Sequence, residues 1–258
     1  SSVTAGEHDA VISWSDKRVC GYAPRHVVKI FSQQLNDMPG DHEFWGSIDL
    51  FVSPSRTHSY FLMRFAPPGC RPHFYVVSSG LDTVSYADAK PWAEREPILG
   101  YWSSPDRGLH HLLMVWPQIR QAVPKAELLI FYHLDRFIKD LSGAYVAGEV
   151  AWRARILENF RINAPKGVHV MGALPRVKLA EYQKQTKVYA YPLDTVSFTE
   201  GYCVAIGEAL AAGARVVARP EDAVEEVYGR SVRWVRAGIP GERFREAFAK
   251  AVIEELRG

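Results

Sequence analysis

The feature that most constrains this chain is a series of nine short apolar runs, each of strand length and bounded by turn residues. In chain order they read DAVISW, HVVKIF, IDLFVSP, HFYVVSS, PILGYW, AELLIFY, VHVMGAL, KVYAYP and ARVVAR. Several are apolar throughout, a pattern typical of parallel strands covered on both faces. Helix-periodic segments separate many of the runs. This alternation predicts an α/β fold with parallel sheets.

A polar stretch at residues 85–97, which contains two prolines, divides the runs into two series. Such stretches are typical of domain boundaries. We therefore predict an N-terminal domain over residues 1–90 and a C-terminal domain over residues 91–258. The second series is complete enough for a doubly wound domain, whereas the first holds only four of the nine runs. We expect the N-terminal domain to be incomplete.

Composition excludes several classes of protein. The 258 residues are 47% hydrophobic and 23% charged, with a formal net charge of +2 and no basic cluster. This balance indicates a globular protein with no nucleic-acid partner, and it leaves peripheral membrane contact open. Cys20, Cys70 and Cys203 are far apart and odd in number, which matches neither a disulfide framework nor a metal cluster. We therefore expect a cytoplasmic protein without a bound metal.

The stretch SSPDRGL at residues 103–109 carries the signals of a helix start. Ser104 is suited to cap the helix, Pro105 to its first position and Asp106 to the positive end of its dipole. Arg107 opposes that dipole. It is therefore either solvated or placed to meet an anion that also uses the helix N-terminus.

The segment that follows shows the clearest helical period in the chain. Apolar residues at steps of three and four predict one buried stripe, formed by Leu109, Leu112, Leu113, Trp116 and Ile119. Pro117 lies within this period, and because an interior proline removes a hydrogen bond we predict a kink or a break there. His110 and His111 are expected at exposed positions of the helix.

Two glutamates flank a second predicted helix start in TEGYCVAIGEALAAGARVVA, residues 199–218. Glu200 lies in a loop, Glu208 lies inside a helix that begins near Tyr202, and Gly213 is placed to end that helix. With a rise of about 1.5 Å per residue the two carboxylates lie up to roughly 12 Å apart, which suits two sugars joined by a diphosphate. Solvated surface positions are the alternative.

The pattern of Glu, seven residues and Glu in EGYCVAIGE, followed by ALAAGARVVA, resembles the donor-site signature of family 4 retaining glycosyltransferases, which have the GT-B fold. GYWSSPDRGLHHLL resembles the segment that opens their C-terminal domain. There a basic residue followed by glycine grips the donor diphosphate, and Arg107 and Gly108 match that pair. GVHVMGALPRVKLAEYQKQTKVYAYP resembles the strand, glycine, helix and strand before the glutamate signature. Together these similarities cover residues 98 to 235.

The resemblance implies a role for each matched residue. Glu200, expected in a solvent-filled cleft, would hold the transferred sugar, and Glu208 would bind the ribose hydroxyls. Arg107 would neutralise the departing diphosphate. The remaining donor-binding residues would be Ser103, Ser104, Gly108, Met171, Gly201, Tyr202 and Cys203.

The chain departs from the family pattern at two places. Tyr101 stands where the family usually has a second basic residue, so neutralisation of the diphosphate is expected to be weaker. Asn36 and Asp37 occupy a stretch where many relatives carry a histidine before an acidic residue and proline. These two are the candidate catalytic residues beside Glu200 and Arg107. His58 is interpreted as a surface helix residue.

The resemblance therefore implies a metal-independent, retaining glycosyltransferase with two Rossmann-like domains. Its donor would be a UDP- or GDP-sugar, used as a substrate with no cofactor, and its acceptor a hydroxyl on a glycan or another molecule. Two alternatives stay open: an inactive donor-binding or scaffolding subunit of the same fold, and a GT-B sugar-nucleotide epimerase. The sequence leaves the oligomeric state undetermined.

Overall fold

The computed structural model describes residues 8–38, 41–143 and 148–258. By its contacts the chain divides into two compact units, which we call the N-terminal unit and the C-terminal unit. The N-terminal unit comprises Ser1–Gly80, Ser197–Cys203 and Asp222–Val227, and the C-terminal unit comprises Leu81–Val196, Val204–Glu221 and Tyr228–Gly258. The segment that carries Glu200 therefore groups with the N-terminal unit. The domain limits 1–90 and 91–258 stay a prediction.

Each of the nine apolar runs contains a strand, and all strand pairs are parallel. The predicted α/β fold with parallel sheets is thus confirmed. The strands are β1 (Ala10–Trp14), β2 (Val28–Ser32), β3 (Leu50–Ser53), β4 (Phe74–Val76), β5 (Ile98–Tyr101), β6 (Glu127–Ile130), β7 (Val168–Val170), β8 (Val188–Tyr191), β9 (Arg215–Ala218) and β10 (Arg233–Trp234). The two-residue strand β10 was not among the predicted runs.

Helices lie between most of the strands in chain order. They are α1 (Lys17–Tyr22), α2 (His42–Ser47), α3 (Arg56–Met63), α4 (Leu109–Ala122), α5 (Leu134–Gly143), α6 (Glu149–Ile162), α7 (Arg176–Gln185), α8 (Val204–Ala211), α9 (Val224–Tyr228) and α10 (Glu242–Arg257). Single 3₁₀ turns occur at Val84–Tyr86, Trp92–Glu94 and Gly229–Ser231. Among the described residues, no helix has both the length and the apolar character needed to cross a membrane.

The N-terminal unit is built on a four-stranded sheet in the order β1-β2-β3-β4. The helix that follows each of the first three strands begins at a side-chain cap: Asp16, Asp41 and Ser55 accept backbone N–H groups of α1, α2 and α3. Aromatic side chains fill the core beneath the sheet, with the Phe31 and Phe44 rings in edge contact at 5.0 Å.

The C-terminal unit is built on a six-stranded sheet in the order β10-β9-β8-β5-β6-β7. The chain runs outward from β5 through β6 to β7, then returns to β8 on the other side of β5 and continues to β10. This is the doubly wound order of a Rossmann-like domain. Its direction reverses between β5 and β8, and ligands of such sheets bind outside the carboxyl ends of the strands at that reversal.

Helix α4 corrects two details of the sequence interpretation. It begins at Leu109, four residues after Pro105, and it runs unbroken through Pro117, so the predicted break does not occur. The stripe from Leu109 to Ile119 is fully buried and packs against α10 and the sheet. Burial of several large side chains, each contributing about 1.5–3 kcal/mol, outweighs the roughly 3 kcal/mol that an interior proline costs.

Candidate functional site

The loop after β5 lies at the point where the strand order reverses in the C-terminal unit. Tyr101 ends β5, is fully buried and donates its hydroxyl hydrogen to the Ser104 carbonyl oxygen at 2.8 Å. The Arg107 N–H donates to the same carbonyl at 3.0 Å, which closes a tight turn before the helix. Ser104 therefore does not cap α4. Gly108, in the left-handed region at φ 96°, occupies the cap position instead.

The loop after β8 packs directly against this turn. A Cβ atom on Gly108 would lie 3.1 Å from the Asp194 nitrogen and 3.3 Å from the Leu193 nitrogen. The Asp194 N–H points to the Arg107 carbonyl oxygen at 3.4 Å. Gly108 is thus needed both for its left-handed backbone and for this close approach of two loops.

Replacing Gly108 by alanine is expected to lower the free energy of unfolding by about 1–3 kcal/mol, because it adds backbone strain and a contact with the Asp194 loop. Gly238→Ala is the matched control, since Gly238 also has a positive φ of 83° but nothing within 4 Å of its Cβ position. Urea unfolding of both variants checks the prediction. Equal losses would show that the approach of the loops contributes nothing.

Hydroxyl groups and the Arg107 guanidinium lie at this edge of the sheet. The Ser103 hydroxyl donates to the Tyr191 hydroxyl at 3.2 Å, and the Ser104 hydroxyl lies 3.5 Å from the Tyr132 hydroxyl. The Arg107 side chain is 20% exposed, with Nε 3.5 Å from the Asp106 carboxylate. Arg107 lies in the turn before α4 and not in the first turn of the helix, where its charge was predicted to oppose the helix dipole.

His110 and His111 are buried, which corrects the expectation of exposed positions. His111 Nε2 lies 2.9 Å and His110 Nε2 3.7 Å from Asp194 Oδ2, and Arg153 Nη2 lies 2.6 Å from the same oxygen. Nearly every residue in the first turns of α4 is covered, because α6, α10 and the sheet all pack on it. A helix covered on several sides has no solvated face for the pair.

Two groups in this cluster, His110 and Asp194, have shifted pKa values. Burial, with repulsion from the neighbouring cations, lowers the pKa of His110 to about 3. Burial acts to raise the pKa of Asp194, but the His111 hydrogen bond and the Arg153 charge outweigh it and hold that pKa below its usual value. Asp194 and Arg153 therefore form a buried ion pair beside a neutral His110.

The same side chains are the candidate metal ligands among the described residues. One ligand atom each from His110, His111 and Asp194 lie within 4.8 Å of one another. However, the Arg153 guanidinium already supplies a positive charge at the carboxylate, and it would repel a second cation. The arrangement fits a buried ion pair with histidine donors better than a metal centre.

Glu208 on α8 is held within a polar network rather than solvated at the surface. One carboxylate oxygen accepts from the Gln183 amide at 3.1 Å, and the other lies 3.4 Å from the exposed Arg176 guanidinium. Tyr86 donates to the same glutamine at 2.8 Å. Burial and the Glu208 charge raise the pKa of Tyr86 to about 12. The oxygen facing Arg176 keeps acceptor capacity for a ligand hydroxyl.

The Glu200 loop is fixed within the N-terminal unit by Asp222. The Asp222 carboxylate accepts the backbone N–H groups of Thr199 at 2.8 Å and Glu200 at 2.9 Å, and the Ala223 N–H donates to the Glu200 carbonyl at 3.1 Å. Glu200 is only 7% exposed, so the expected solvent-filled surroundings are wrong. The backbone of Glu200 is held by bonds that do not use its side chain.

Two side chains from the first third of the sequence pack on the same loop. Asn36 donates its amide to the Thr199 carbonyl at 3.1 Å. His58 stacks on Phe198 with ring centroids 5.8 Å apart, and a Cβ on Gly201 would lie 3.1 Å from its ring. His58 is fully buried, which corrects its interpretation as a surface residue, and burial lowers its pKa.

The structure groups the predicted site residues in two sets. In the N-terminal unit, Asn36 contacts the loop that carries Glu200, Gly201, Tyr202 and Cys203, while Asp37 is exposed beside Gln33. In the C-terminal unit, the edge after β5 carries Ser103, Ser104, Arg107 and Gly108. Met171 follows β7, its N–H bound to the Ile130 carbonyl at 2.8 Å, and Glu208 lies in α8. The roles assigned to these residues stay predictions.

Sequence reasoning missed three residues that hold these loops. Asp194 and Asp222 bind the two loops described above, and Arg153 reaches Asp194 from α6. Asp194 alone had a recognisable signal, because an aspartate two residues after the strand-like run KVYAYP lies near the carboxyl end of a parallel strand.

Solved structures with the GT-B fold match most of the chain, so the chain has that fold. The pneumococcal O-GlcNAc transferase GtfA in complex with UDP and GlcNAc is 12% identical, with a TM-score of 0.58 over 92% of this chain and 46% of that one. HepE of Anabaena in complex with UDP and glucose is 15% identical, with a TM-score of 0.60 over 95% and 68%. Sucrose-phosphate synthase from Thermosynechococcus elongatus is 14% identical, with a TM-score of 0.59 over 96% and 69%.

The larger, C-terminal part of the sequence identifies the family. Residues 97–257 match the family model described as Glycosyl transferases group 1. The chain therefore belongs to that family. No curated protein matches it. The chain spans about half the length of GtfA.

Proposed function

We propose that this protein transfers a sugar from a nucleotide diphosphate sugar to an acceptor hydroxyl, with retention of the anomeric configuration and without a metal ion. The observation that carries the proposal is the match of residues 97–257 to a glycosyltransferase family, with the serine and arginine loop at the reversal point of its sheet. Sheets of this kind bind nucleotides at that point.

In this proposal the diphosphate binds beside Ser103, Ser104 and Arg107. The bond between the anomeric carbon and the diphosphate oxygen breaks, and the acceptor oxygen forms the new bond to the same carbon. The acceptor proton leaves with the nucleoside diphosphate. Negative charge grows on the diphosphate as this bond breaks, so fixed donors at the loop stabilise the transition state more than the ground state.

The other assigned residues bind the two ends of the donor. Glu208 accepts hydrogen bonds from the ribose hydroxyls through the oxygen that faces Arg176. Glu200 contacts the transferred sugar, and the amides of Gly201, Tyr202 and Cys203 bind the sugar or a phosphate. The loop that begins at Met171 frames the base. UDP is the favoured donor nucleotide over GDP, since GtfA and HepE were both solved with UDP.

Two observations favour a second candidate, an inactive subunit that binds the donor without turnover. The Tyr101 hydroxyl donates to the Ser104 carbonyl, so this residue fixes the loop and adds no positive charge. The Asn36 amide binds the Thr199 carbonyl and has no ionisable group to move a proton.

Arg107→Ala is expected to weaken UDP binding by at least tenfold, because a hydrogen bond to a charged group is worth about 1.5–3 kcal/mol. Isothermal calorimetry of the full-length protein with UDP, GDP, ADP and dTDP measures this and identifies the base. Arg230→Ala, at an exposed arginine of the C-terminal unit, is the control. If Arg107→Ala bound UDP like the parent, the diphosphate site would be wrong.

Turnover separates the candidate functions. A transferase releases nucleoside diphosphate from a nucleotide sugar when an acceptor is added. UDP binding without any release over a panel of sugars and acceptors would favour the inactive subunit. An epimerised nucleotide sugar formed without acceptor would favour an epimerase.

A further inference from the structure

Arg153 connects the loop after β5 to the loop after β8, at the point where the strand order reverses. It projects from α6 and is 3% exposed. One guanidinium nitrogen donates to the Asp106 carbonyl at 3.0 Å and to the Asp194 carbonyl at 2.6 Å, and the other donates to the Asp194 carboxylate at 2.6 Å. A single planar group thus binds both the turn before α4 and the loop after β8.

Other contacts also reach these loops: the Ser103 hydroxyl donates to the Tyr191 hydroxyl at the end of β8, and Arg219 donates to the Leu193 carbonyl at 3.3 Å. The Asp106 and Asp194 segments also meet at the close approach of Gly108 and at a long hydrogen bond from the Asp194 N–H to the Arg107 carbonyl. Leu193, between β8 and Asp194, has a positive φ of 35°, a conformation that needs support from its surroundings. His111 donates to the Asp194 carboxylate from α4 and completes the set of bonds that fixes this aspartate.

We propose that Arg153 is a positioning residue for the donor diphosphate, acting through the Asp106 and Asp194 backbones to hold the turn that carries Arg107. The inference rests on the proposed function. A lysine cannot replace it, because an ammonium lacks the planar fork that reaches two carbonyls and a carboxylate at once. Arg153 does not itself contact the donor, so its loss changes where Arg107 lies rather than removing a contact.

Arg95 offers a matched control in the same unit. It is also a buried arginine bound to carbonyl oxygens, those of Lys90, Thr186 and Ala212 at 2.7–2.9 Å. Thr186 and Ala212 precede β8 and β9, so Arg95 binds the opposite edge of the same sheet. A conservative change there disturbs the fold in a similar way but far from the reversal point.

The experiment compares Arg153→Lys with Arg95→Lys in the full-length protein, with melting temperature and calorimetric binding of UDP and of uridine as readouts. Both variants are expected to melt at a lower temperature than the parent. Arg153→Lys is expected to bind UDP at least tenfold more weakly while uridine binding changes less than twofold. Arg95→Lys is expected to keep parental affinity for both ligands.

The possible results distinguish a failure of the inference from a failure of the proposed function on which it rests. A parent that binds no nucleoside diphosphate overturns the proposed function and the inference together. A parent that binds UDP, with Arg153→Lys binding equally well or with both variants weakened alike, overturns the inference alone. Should Arg153→Lys fail to fold, Arg153→Gln replaces it, because a glutamine amide is too short and has too few donors to bind both loops, and the same loss of UDP affinity is expected.

Discussion

Glu200→Gln is expected to slow sugar transfer by about 10²–10³-fold while UDP binding stays within a few fold of the parent. The proposed reaction passes through a state in which the sugar carries partial positive charge, and a carboxylate beside it stabilises that charge where a neutral amide does not. The release rate of nucleoside diphosphate at saturating donor and acceptor measures the effect.

The backbone bonds around Glu200 make glutamine a conservative substitution. The loop is held through the Glu200 N–H and carbonyl, which bind Asp222 and Ala223, and these bonds survive a change of side chain. Glutamine keeps nearly the same volume in this buried position, and the melting temperature is measured beside the rate so that a loss of stability is not read as a loss of transfer. Glu225→Gln, on the exposed surface of α9, is the control. Transfer at the parental rate by Glu200→Gln would remove this residue from the catalytic site.

The architecture was predictable because the apolar runs report burial on both faces of parallel strands. The run KVYAYP contains consecutive buried residues, as β8 does in the structure. In the run AELLIFY, the buried residues of β6 alternate with half-buried ones. The strand β10 was not predictable in the same way. It has only two residues, one of them the exposed Arg233, and it forms because β9 presents a free edge beside it.

The residues at which helices begin were harder to predict from the sequence. Ser104, Pro105 and Asp106 satisfy every local rule for a helix start, yet α4 begins at Leu109. The deciding factor is tertiary: the left-handed Gly108 lets the turn approach the Asp194 loop, some 86 positions away in the sequence. Local preferences at a helix N-terminus are worth about 1 kcal/mol each, so packing between distant loops can override them.

The site was predictable as a set of residue types but not as a set of contacts. The glutamate signature and the Arg107-Gly108 pair identify the relevant loops. They do not show that Glu200 is buried, since its cover comes from segments far away in the sequence. The prediction that the histidine pair is exposed was wrong for a similar reason, because Asp194 and Arg153 reach the pair from distant elements.

Acidification is expected to destabilise the protein, with His110 alone contributing a loss of roughly 3 kcal/mol between pH 6.5 and pH 4. Burial lowers the pKa of His110 from 6.5 to about 3, so between these values the unfolded chain binds a proton that the folded chain does not. Stability from this group is therefore fully present above pH 6.5 and is lost as the pH falls toward 3. Urea unfolding at a series of pH values measures the slope.

His110→Phe tests the assignment, because it keeps an aromatic ring against Trp152 and His111 but cannot take up a proton. The variant is expected to lose about 3 kcal/mol less than the parent over the same range. The buried His58 acts in the same direction and remains in both proteins, so some slope persists. His169→Asn is the control, since that histidine is half exposed. Parallel pH curves for His110→Phe and the parent would show that His110 takes up its proton without unfolding the chain, through solvent entering beneath α4.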